Sequence, residues 1–578
     1  MTDRSKDNNI ERGRADLAAW EASKPDNYFA SDANIQRVMQ MYLGDERYRG
    51  VWPELSRAGE LAAGSMDRLA RESNVDENLP RLSRHDGIGR RNEDIVFHPS
   101  YHELGAQIWS TGVLAVQGEP RSEVLCGGLA YLIDHNGEAG HACPVACTSG
   151  LVKLLQRVGS EEQRQRYLPG LLERDYGKRL HAAQFVTEVQ GGSDVGTNAC
   201  VATPDPDRPG LFRITGEKWF CSVADAQLFV LTARPEDAEP DGTKGLGLFL
   251  VPRFVDGQAN RFSIRRLKYK LGTRSMASGE IDFDGALAEP LGLLHRGFKN
   301  LISIVLDTSR VHNALAACGA MRRAYIEAHT FAAHRVAFGR RIIEHPMVQE
   351  RLARMKVLTA AAIATTFRIL DMTDRAAGED VDDDLVAARR THVNINKYWT
   401  AIRCTEVVRD GIEVLGGNGT IEEFCVLPRL YRDAIVVESW EGTHNTLCAQ
   451  VLRDFAQRGM HRQWLAEVRD SVGSVRHATL KGHRERAAAL LSEVTERIDR
   501  LHSSEAYATR HIRHVVDRMC ELGAYVSLLR ELDWELTQGI SSEKGAMVEI
   551  FRLLHVDGVD PMDHDELAGL YGATIAKM

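Results

Sequence analysis

Glu441 is the acidic residue in this sequence whose neighbours most favour acid–base chemistry. It lies in ESWEGTHNTLC, residues 438–448, between the bulky Trp440 and Gly442. A carboxylate beside a large aromatic surface is partly desolvated, which raises its pKa toward the range of a general base. Taken alone, such a glutamate is more often a surface residue.

A polar segment that contains two glycines, FVTEVQGGSDVG at 185–196, is a candidate ligand-binding turn. Thr187 and Ser193 carry hydroxyl groups on either side of Gly191 and Gly192. Glycines allow a backbone to approach a ligand closely, and hydroxyls with free amides suit a phosphate or the edge of an electron-rich ring. The same residues also fit a simple polar turn between two elements.

An aromatic pair follows in GEKWFCS, residues 216–222. Trp219 and Phe220 are adjacent in a predicted strand, so we expect their side chains on opposite faces, one in the core and one over a planar cofactor. Ser222, two residues after Phe220, shares the face of Phe220 and is placed to hydrogen-bond such a cofactor. An ordinary aromatic pair in a β core is the alternative.

Two further segments carry groups suited to a dinucleotide. Arg335 precedes Phe338 and Gly339 in HRVAFGRRIIEHP, 334–346, where a guanidinium can clamp a pyrophosphate. EVLGGNGTIEEF at 413–424 is a glycine-rich loop after a helix rather than after a strand, so the Rossmann fingerprint does not apply. A solvated basic turn and a plain helix cap are the alternatives.

The elements that must position these residues follow the order helices, strands, helices. Apolar residues recur at three- and four-residue intervals up to about residue 185, and Ser160 before Gln163 predicts a capping box. Short runs rich in Val, Ile, Leu and Phe then predict an antiparallel β unit over 186–292. Long amphipathic helices typical of a four-helix bundle return to about residue 455, and a charged helical segment follows to 578.

The composition is that of a globular protein with several domains: 578 residues, 43% hydrophobic, 26% charged and a net charge of −9. No apolar stretch is long enough to cross a bilayer and the first residues lack an apolar targeting segment, so we expect a cytoplasmic enzyme without a membrane partner. Ten cysteines are too sparse for a disulfide scaffold, and Cys143 and Cys147 lack zinc-like spacing, so no metal site is expected.

Taken together and in this order, the motifs resemble the acyl-CoA dehydrogenase family over about residues 95–455. The matching segments are TE-x-x-GGSDV, KWFCS, KLGTRSMASGEIDFDG, RVAFGRR, VLGGNG and RLYRDA…WEGTHN. The variants QGGSDV, KLGTRSMASGE, SRVHNALAACG and SWEGTHN look most like the AidB branch, which also has a helical C-terminal extension. The resemblance implies a mainly α fold with an inserted β domain.

Four domains are implied by this resemblance. They are an N-terminal helical domain at 1–185, a middle β-barrel at 186–292, a C-terminal four-helix bundle at 293–455 and a helical extension at 456–578. The family's usual assembly is a tetramer built as a dimer of dimers, so a homotetramer is expected.

The resemblance also implies FAD as cofactor. Thr187 would bond the flavin ring, and Ser193 would bond the pyrophosphate or the CoA arm. Phe220 would cover the flavin, and Ser222 is in the position where the family has a Thr. Arg335 and the Glu413–Gly417 loop would reach the FAD of a neighbouring subunit. The full implied set of cofactor residues is Phe185, Thr187, Ser193, Phe220, Ser222, Arg335, Phe338, Glu413, Gly416, Gly417, Thr443 and Asn445.

Glu441 would take the α-proton of a bound acyl-CoA while a β-hydride moves to the flavin N5. The thioester oxygen would be stabilised by the backbone N–H of Glu441 and a ribityl hydroxyl. Ser193, Asp307, Ser309 and Arg310 match residues that contact or line the CoA channel. Neither Ser309 nor Arg310 can serve as the base that some relatives place on that helix. An electron-transfer flavoprotein is the expected electron acceptor, in fatty acid metabolism.

Two departures and two alternatives remain. Pro346 and Glu413 stand where the family commonly has Gln, which puts individual adenine-side contacts in doubt.

The first alternative is an AidB-like flavoprotein that protects DNA. Residues 451–578 hold 17 Lys/Arg and 20 Asp/Glu, and this charge balance favours the enzyme. The second is an oxidase or monooxygenase on the same fold, which Glu441 argues against.

Overall fold

The computed structural model describes residues 4–137, 139–236, 242–377 and 382–578. The helices in these ranges are α1 Arg4–Ala22, α2 Ala33–Leu43, α3 Asp45–Ala63, α4 Ser65–Ser73, α5 Pro99–Ser110, α6 Glu123–Ile133, α7 Ala139–Val158, α8 Glu161–Leu171, α9 Gly297–Asn300, α10 Asp307–His334, α11 Pro346–Ala376, α12 Asp383–Leu415, α13 Leu427–Ser439, α14 His444–Arg458, α15 His461–Ser474, α16 Lys481–Arg500, α17 Glu505–Thr537, α18 Lys544–Phe551 and α19 Glu566–Ile575.

The strands are β1 Arg81–His85, β2 Arg91–Val96, β3 Ala182–Phe185, β4 Val201–Pro204, β5 Phe212–Ser222, β6 Leu228–Pro235, β7 Gly247–Pro252, β8 Phe254–Val255, β9 Gln258–Ala259, β10 Phe262–Leu267, β11 Ser278–Pro290, β12 Val336–Ala337 and β13 Arg340–Arg341. The predicted order of helices, β unit and helices is confirmed. No helix among the described residues is long and apolar enough to cross a membrane.

The chain forms two compact units, each built from separate stretches. One contains Ser65–Ser122 and Glu138–His312, and the other contains Met1–Gly64, Glu123–Gly137 and Asn313–Met578. We call them the barrel unit and the bundle unit.

In the barrel unit, β11, β5, β4, β6 and β7 pair in sequence, and β7 pairs back to β11, so the strands close a ring. Its interior is filled by apolar side chains such as Phe185, Phe229 and Phe249. The predicted antiparallel pairing is incomplete, because β3 and β4 both run parallel to β6. The parallel pairings are possible because long connections that include helices or loops separate these strands along the chain.

Two local predictions in the first 185 residues have different outcomes. The capping box at the start of α8 is confirmed, since Ser160 Oγ accepts from the Gln163 backbone N–H and Gln163 Oε1 accepts from the Ser160 N–H. The helix predicted to continue to Phe185 is wrong, because α8 ends at Leu171 and Ala182–Phe185 is a strand. Burial beside β6 outweighs local helix propensity there.

In the bundle unit, α12 packs against α11, α13, α14 and α15, while the C-terminal α17 packs against α11 and α14. The extension therefore shares a compact unit with the bundle. Because α12 is surrounded by other helices, even its polar residues Asn394, Asn396, Lys397 and Thr400 are buried.

Gly319 allows α10 to lie directly against the end of α6. A Cβ at Gly319 would be 2.7 Å from the Tyr131 carbonyl oxygen, whereas one at Gly523 on α17 would meet nothing within 4 Å. We expect Gly319→Ala to lower the free energy of unfolding by about 1–3 kcal/mol through overpacking. Gly523→Ala should leave it unchanged or raise it slightly. Thermal unfolding followed by circular dichroism at fixed FAD checks this, and equal midpoints for the two variants would contradict the packing argument.

Candidate functional site

A buried ion pair fixes the Thr187 turn to the barrel. Lys218 on β5 is buried, and its Nζ donates to Glu188 Oε1 at 2.7 Å. Glu188 also accepts from the backbone N–H groups of Ala199 and Cys200. The backbone N–H of Trp219 donates to the Thr187 carbonyl at 2.9 Å. The residue that carries the predicted flavin-binding hydroxyl is therefore held on both sides.

The electrostatics of this pair favour the ionised carboxylate. Burial by itself would raise the pKa of Glu188, but the Lys218 ammonium and the Ala199 N–H outweigh it and hold that pKa below its usual value. Stability from this pair is therefore present above the ordinary glutamate pKa and is lost as the pH falls through the depressed value.

The two glycines of the turn keep one side of it open. A Cβ at Gly192 would lie 2.5 Å from Thr187 Oγ1, so only glycine lets this backbone approach the hydroxyl. Gly191 has φ +131°, and a Cβ there would meet nothing within 4 Å. Ser193 follows on the exposed side of the same turn. Thr187, Gly191 and Ser193 thus form a small cradle that a ligand can enter.

The expected placement of Trp219 and Phe220 on opposite faces is wrong. Lys218 pairs with Ile281 and Cys221 pairs with Gly279, so Trp219 and Phe220 together oppose the single residue Glu280. This β-bulge turns both aromatic side chains outward, while Lys218 and Cys221 are both buried. Lys268 Nζ lies over both rings, 3.6 Å from the Trp219 centroid and 4.8 Å from that of Phe220.

Three residues of the barrel unit that are predicted to contact the cofactor have different surroundings. Phe220 is 51% exposed, as a residue that covers a ligand requires. Ser222 Oγ lies 3.2 Å from Ser278 Oγ on β11. The Phe185 side chain is fully buried against Phe229, with ring centroids 4.9 Å apart, so a cofactor contact by this residue would involve its backbone.

The predicted substrate residues Asp307, Ser309 and Arg310 lie in the first turn of α10 and are buried. Ser309 Oγ accepts from Gln184 Nε2 at 2.6 Å, and the same amide nitrogen lies 3.3 Å from Cys147 Sγ. Six residues with π-helical hydrogen bonding, Leu301–Leu306, precede this turn. Such segments are frequent at functional sites.

In the bundle unit, Glu441 occupies a strained turn between α13 and α14. Its φ is +56° and that of Gly442 is +104°. A left-handed conformation costs a non-glycine residue about 1–3 kcal/mol, and it persists only where neighbouring groups hold it. Lys397 on α12 provides such a contact, because its Nζ donates to the carbonyls of Glu438 at 3.0 Å and Gly442 at 2.9 Å. We call residues 440–442 the Glu441 turn.

Side chains around this turn are also fixed. Glu438 accepts from His444 Nε2 at 2.9 Å and from Thr405 Oγ1. The His444 hydrogen bond holds the pKa of Glu438 below its usual value despite burial. Thr443 and Asn445 are exposed at the start of α14, and Asn445 Oδ1 accepts from Arg513 Nη1 at 3.4 Å.

A short hairpin interrupts the helices after Arg335. β12 and β13 pair with Phe338 and Gly339 at the tip, where φ is +52° and +83°. The Phe338 side chain is 96% exposed. An aromatic side chain held this far out of its own unit is suited to contact a second molecule.

The Glu413–Gly417 loop lies at the end of α12. Gly416 has φ +62°, and a Cβ at Gly416 or Gly417 would meet nothing within 4 Å. Glu413 is exposed, with Oε2 3.7 Å from Arg351 Nη2. The loop is therefore both a helix cap and an open backbone surface.

Two arginines of the helical extension, Arg484 and Arg486, are engaged by groups of the same chain. Arg486 pairs with Asp557 at 2.6 Å and with Glu493 at 2.9 Å, and Arg484 donates to the Val475 carbonyl. Acidic partners lower the positive potential that a nucleic-acid phosphate would meet.

These observations fit FAD. The Thr187 cradle, the open glycine backbone at 416–417 and the exposed aromatic rings of Phe220 and Phe338 are the kinds of groups that a dinucleotide with a planar ring contacts. The motifs gave no indication of Lys397 and Gln184, which contact segments predicted to be functional. A lysine among apolar and small residues in NINKYWTAI was the available signal for Lys397.

Three family models match most of the chain between residues 20 and 455. Residues 20–178 match the adaptive response protein AidB N-terminal domain. Residues 183–286 match the acyl-CoA dehydrogenase middle domain, and residues 295–455 match the acyl-CoA dehydrogenase C-terminal domain.

Two relatives and one solved structure agree with these matches. Acyl-CoA dehydrogenase family member 11 of Caenorhabditis elegans is 32% identical over 446 residues, covering 74% of this chain and 71% of the relative. Putative acyl-CoA dehydrogenase AidB of Escherichia coli strain K12 is 35% identical over 406 residues, covering 68% and 72%. The crystal structure of Caenorhabditis elegans ACDH-11 in complex with C11-CoA superposes with a TM-score of 0.83 at 26% identity, covering 92% of each chain.

Removing the Lys218 ammonium should leave Glu188 charged and buried without its partner. We expect Lys218→Met to lower the free energy of unfolding by about 3–5 kcal/mol and to weaken FAD binding, because the Thr187 turn loses its anchor. Lys178→Met, which removes an exposed ion pair with Asp175, is the control and should change neither quantity. Thermal unfolding and FAD titration check this. A Lys218→Met protein with wild-type stability and FAD affinity would contradict it.

Proposed function

Because the chain belongs to the acyl-CoA dehydrogenase family, in its AidB-like branch, and is an FAD-dependent oxidoreductase acting on CH–CH bonds, we propose that it oxidises the α,β bond of an acyl-CoA to the trans-2-enoyl-CoA. Glu441 is the proposed base for the α-proton. The observation that carries this assignment is the Glu441 turn, which holds a glutamate in a left-handed conformation between two helices. Strain of this kind is concentrated at functional sites.

Each proposed site residue has a separate role in this dehydrogenation. FAD, when bound, supplies the hydride acceptor at the flavin N5. Glu441 removes the α-proton, and its backbone N–H stabilises the charge that develops on the thioester oxygen. Thr187, Ser193, Phe220, Ser222, Thr443 and Asn445 hold the cofactor, while Asp307, Ser309 and Arg310 line the CoA channel. Gln184 orients Ser309 through the 2.6 Å hydrogen bond.

The proposed substrate is an acyl-CoA of medium to long chain. Support comes from the Caenorhabditis elegans relative, whose structure was solved with C11-CoA. We place the reaction in fatty acid metabolism in the cytoplasm, with an electron-transfer flavoprotein as acceptor.

The proposed assembly is a homotetramer built as a dimer of dimers. The exposed Phe338 tip, Arg335 and the Glu413–Gly417 loop would contact the FAD of a second copy. The exposure of Phe338, Glu413, Gly416 and Gly417 within one chain supports this assignment.

Replacing the proposed base tests the reaction directly. Without air, saturated acyl-CoAs of graded length should bleach the flavin absorbance of the wild-type protein fastest near one chain length. Glu441→Gln should slow this bleaching by at least about 10²- to 10⁴-fold, because the amide cannot accept the proton. Glu423→Gln, at an exposed glutamate, is the control. Unchanged bleaching in Glu441→Gln would contradict the assignment of the base.

A different result would favour the alternative function. If no acyl-CoA bleaches the wild-type flavin, the dehydrogenase proposal fails. An AidB-like binding role would then be tested by salt-dependent DNA affinity.

The assembly proposal makes a separate prediction about Phe338. Phe338→Ala should weaken FAD binding by about tenfold, since truncation of an aromatic side chain at an interface costs more than about 1 kcal/mol. It should also shift the protein toward smaller assemblies in analytical ultracentrifugation. Met562→Ala, at a side chain that is 88% exposed elsewhere, is the control. Unchanged FAD affinity and assembly in Phe338→Ala would contradict a contact with a second subunit.

A further inference from the structure

A single buried ammonium group donates hydrogen bonds to the backbone on both sides of Glu441. Lys397 on α12 is 0% exposed, and its Nζ donates to the carbonyl of Glu438, three residues before Glu441, and to that of Gly442, one residue after it. The distances are 3.0 and 2.9 Å. Lys397 belongs to a helix that is neighbour to both α13 and α14, so the turn is fixed to the interior of the bundle unit.

The two carbonyls need such a donor. Glu438 lies in the last turn of α13, where carbonyl groups have no partner within the helix, and a cation at that end also complements the helix dipole. Glu441 has positive φ, a conformation that a non-glycine residue leaves when neighbouring groups do not hold it. Removing the ammonium would take this donor from both partly buried carbonyls and would free the turn to relax.

Relaxation of the turn would move the carboxylate. A change in φ at Glu441 swings its Cβ, and proton transfer requires the carboxylate within hydrogen-bond reach of the α-carbon proton. A displacement of about 1 Å at a reacting group can cost about 100-fold in rate. From this geometry, and resting on the proposed function of Glu441, we propose that Lys397 is a positioning residue that sets the placement of the base for proton abstraction.

The test measures anaerobic flavin reduction in Lys397→Met, which keeps the length of the side chain without its donors. The probe is the saturated acyl-CoA, among those of about four to sixteen carbons, that reduces the wild-type flavin fastest, with and without deuterium at the α-carbon. We expect the limiting reduction rate to fall by about 10- to 100-fold. The acyl-CoA dissociation constant should stay within about threefold, and the α-deuterium isotope effect should increase as proton abstraction becomes slower.

The matched control is Lys356→Met. Lys356 is also buried in the bundle unit, and its Nζ donates to the backbone carbonyls of Thr574 and Lys577 at 3.0 and 2.7 Å and to Glu543 Oε1 at 3.1 Å. Its loss removes a buried ammonium and an ion pair away from the Glu441 turn, so the reduction rate and isotope effect of Lys356→Met should match the wild type. If Lys397→Met does not fold with FAD, Lys397→Arg is measured instead. The longer guanidinium side chain of arginine displaces the same two carbonyls, so we expect the same fall in reduction rate and the same increase in isotope effect.

Parallel measurement of Glu441→Gln separates the two proposals. If Glu441→Gln abolishes reduction while Lys397→Met reduces at the wild-type rate with an unchanged isotope effect, the role of Lys397 is overturned and the base assignment stands. Equal loss of rate in Lys356→Met and Lys397→Met would also overturn it, since the effect would then be a general loss of packing. If Glu441→Gln reduces normally, the proposed function itself fails.

Discussion

A lysine ammonium that is removed from water must be surrounded by oxygen atoms, and this constraint organises one predicted functional turn in each unit. In the barrel unit, Lys218 meets the carboxylate of Glu188, and that pair holds the Thr187 turn. In the bundle unit, Lys397 meets two backbone carbonyls and holds the Glu441 turn. In each case an uncompensated buried charge would be costly, so the turn and the lysine are held in one arrangement.

The two lysines hold their turns through different contacts. Lys218 forms an ion pair with Glu188, and this pair fixes the backbone of the Thr187 turn, which is proposed to bind a cofactor. Lys397 donates to two backbone carbonyls, one on each side of Glu441. Its ammonium also helps to hold the pKa of the Glu438 carboxyl below its usual value.

Local irregularities carry the features that regular elements cannot provide. The bulge in β5 turns Trp219 and Phe220 to the same side, which a regular strand forbids. The hairpin tip at Phe338 and the turn at Glu441 both use positive φ at non-glycine residues. These positions interrupt β5 and the long helices of the bundle unit. The surrounding regular structure holds them in place.

The sequence by itself determined the order of helical and β regions, the capping box at Ser160, the family resemblance and the identity of the candidate residues, because these follow from local periodicity and from motifs of contiguous residues. Tertiary structure alone decided that Ala182–Phe185 is a strand, that Trp219 and Phe220 share a face, and that Lys397 meets the Glu441 turn. Pairing with β6, the register of β5 against β11, and contacts between residues 41 and 45 positions apart are long-range properties. Local propensity does not encode them, since they depend on which distant groups satisfy buried hydrogen bonds.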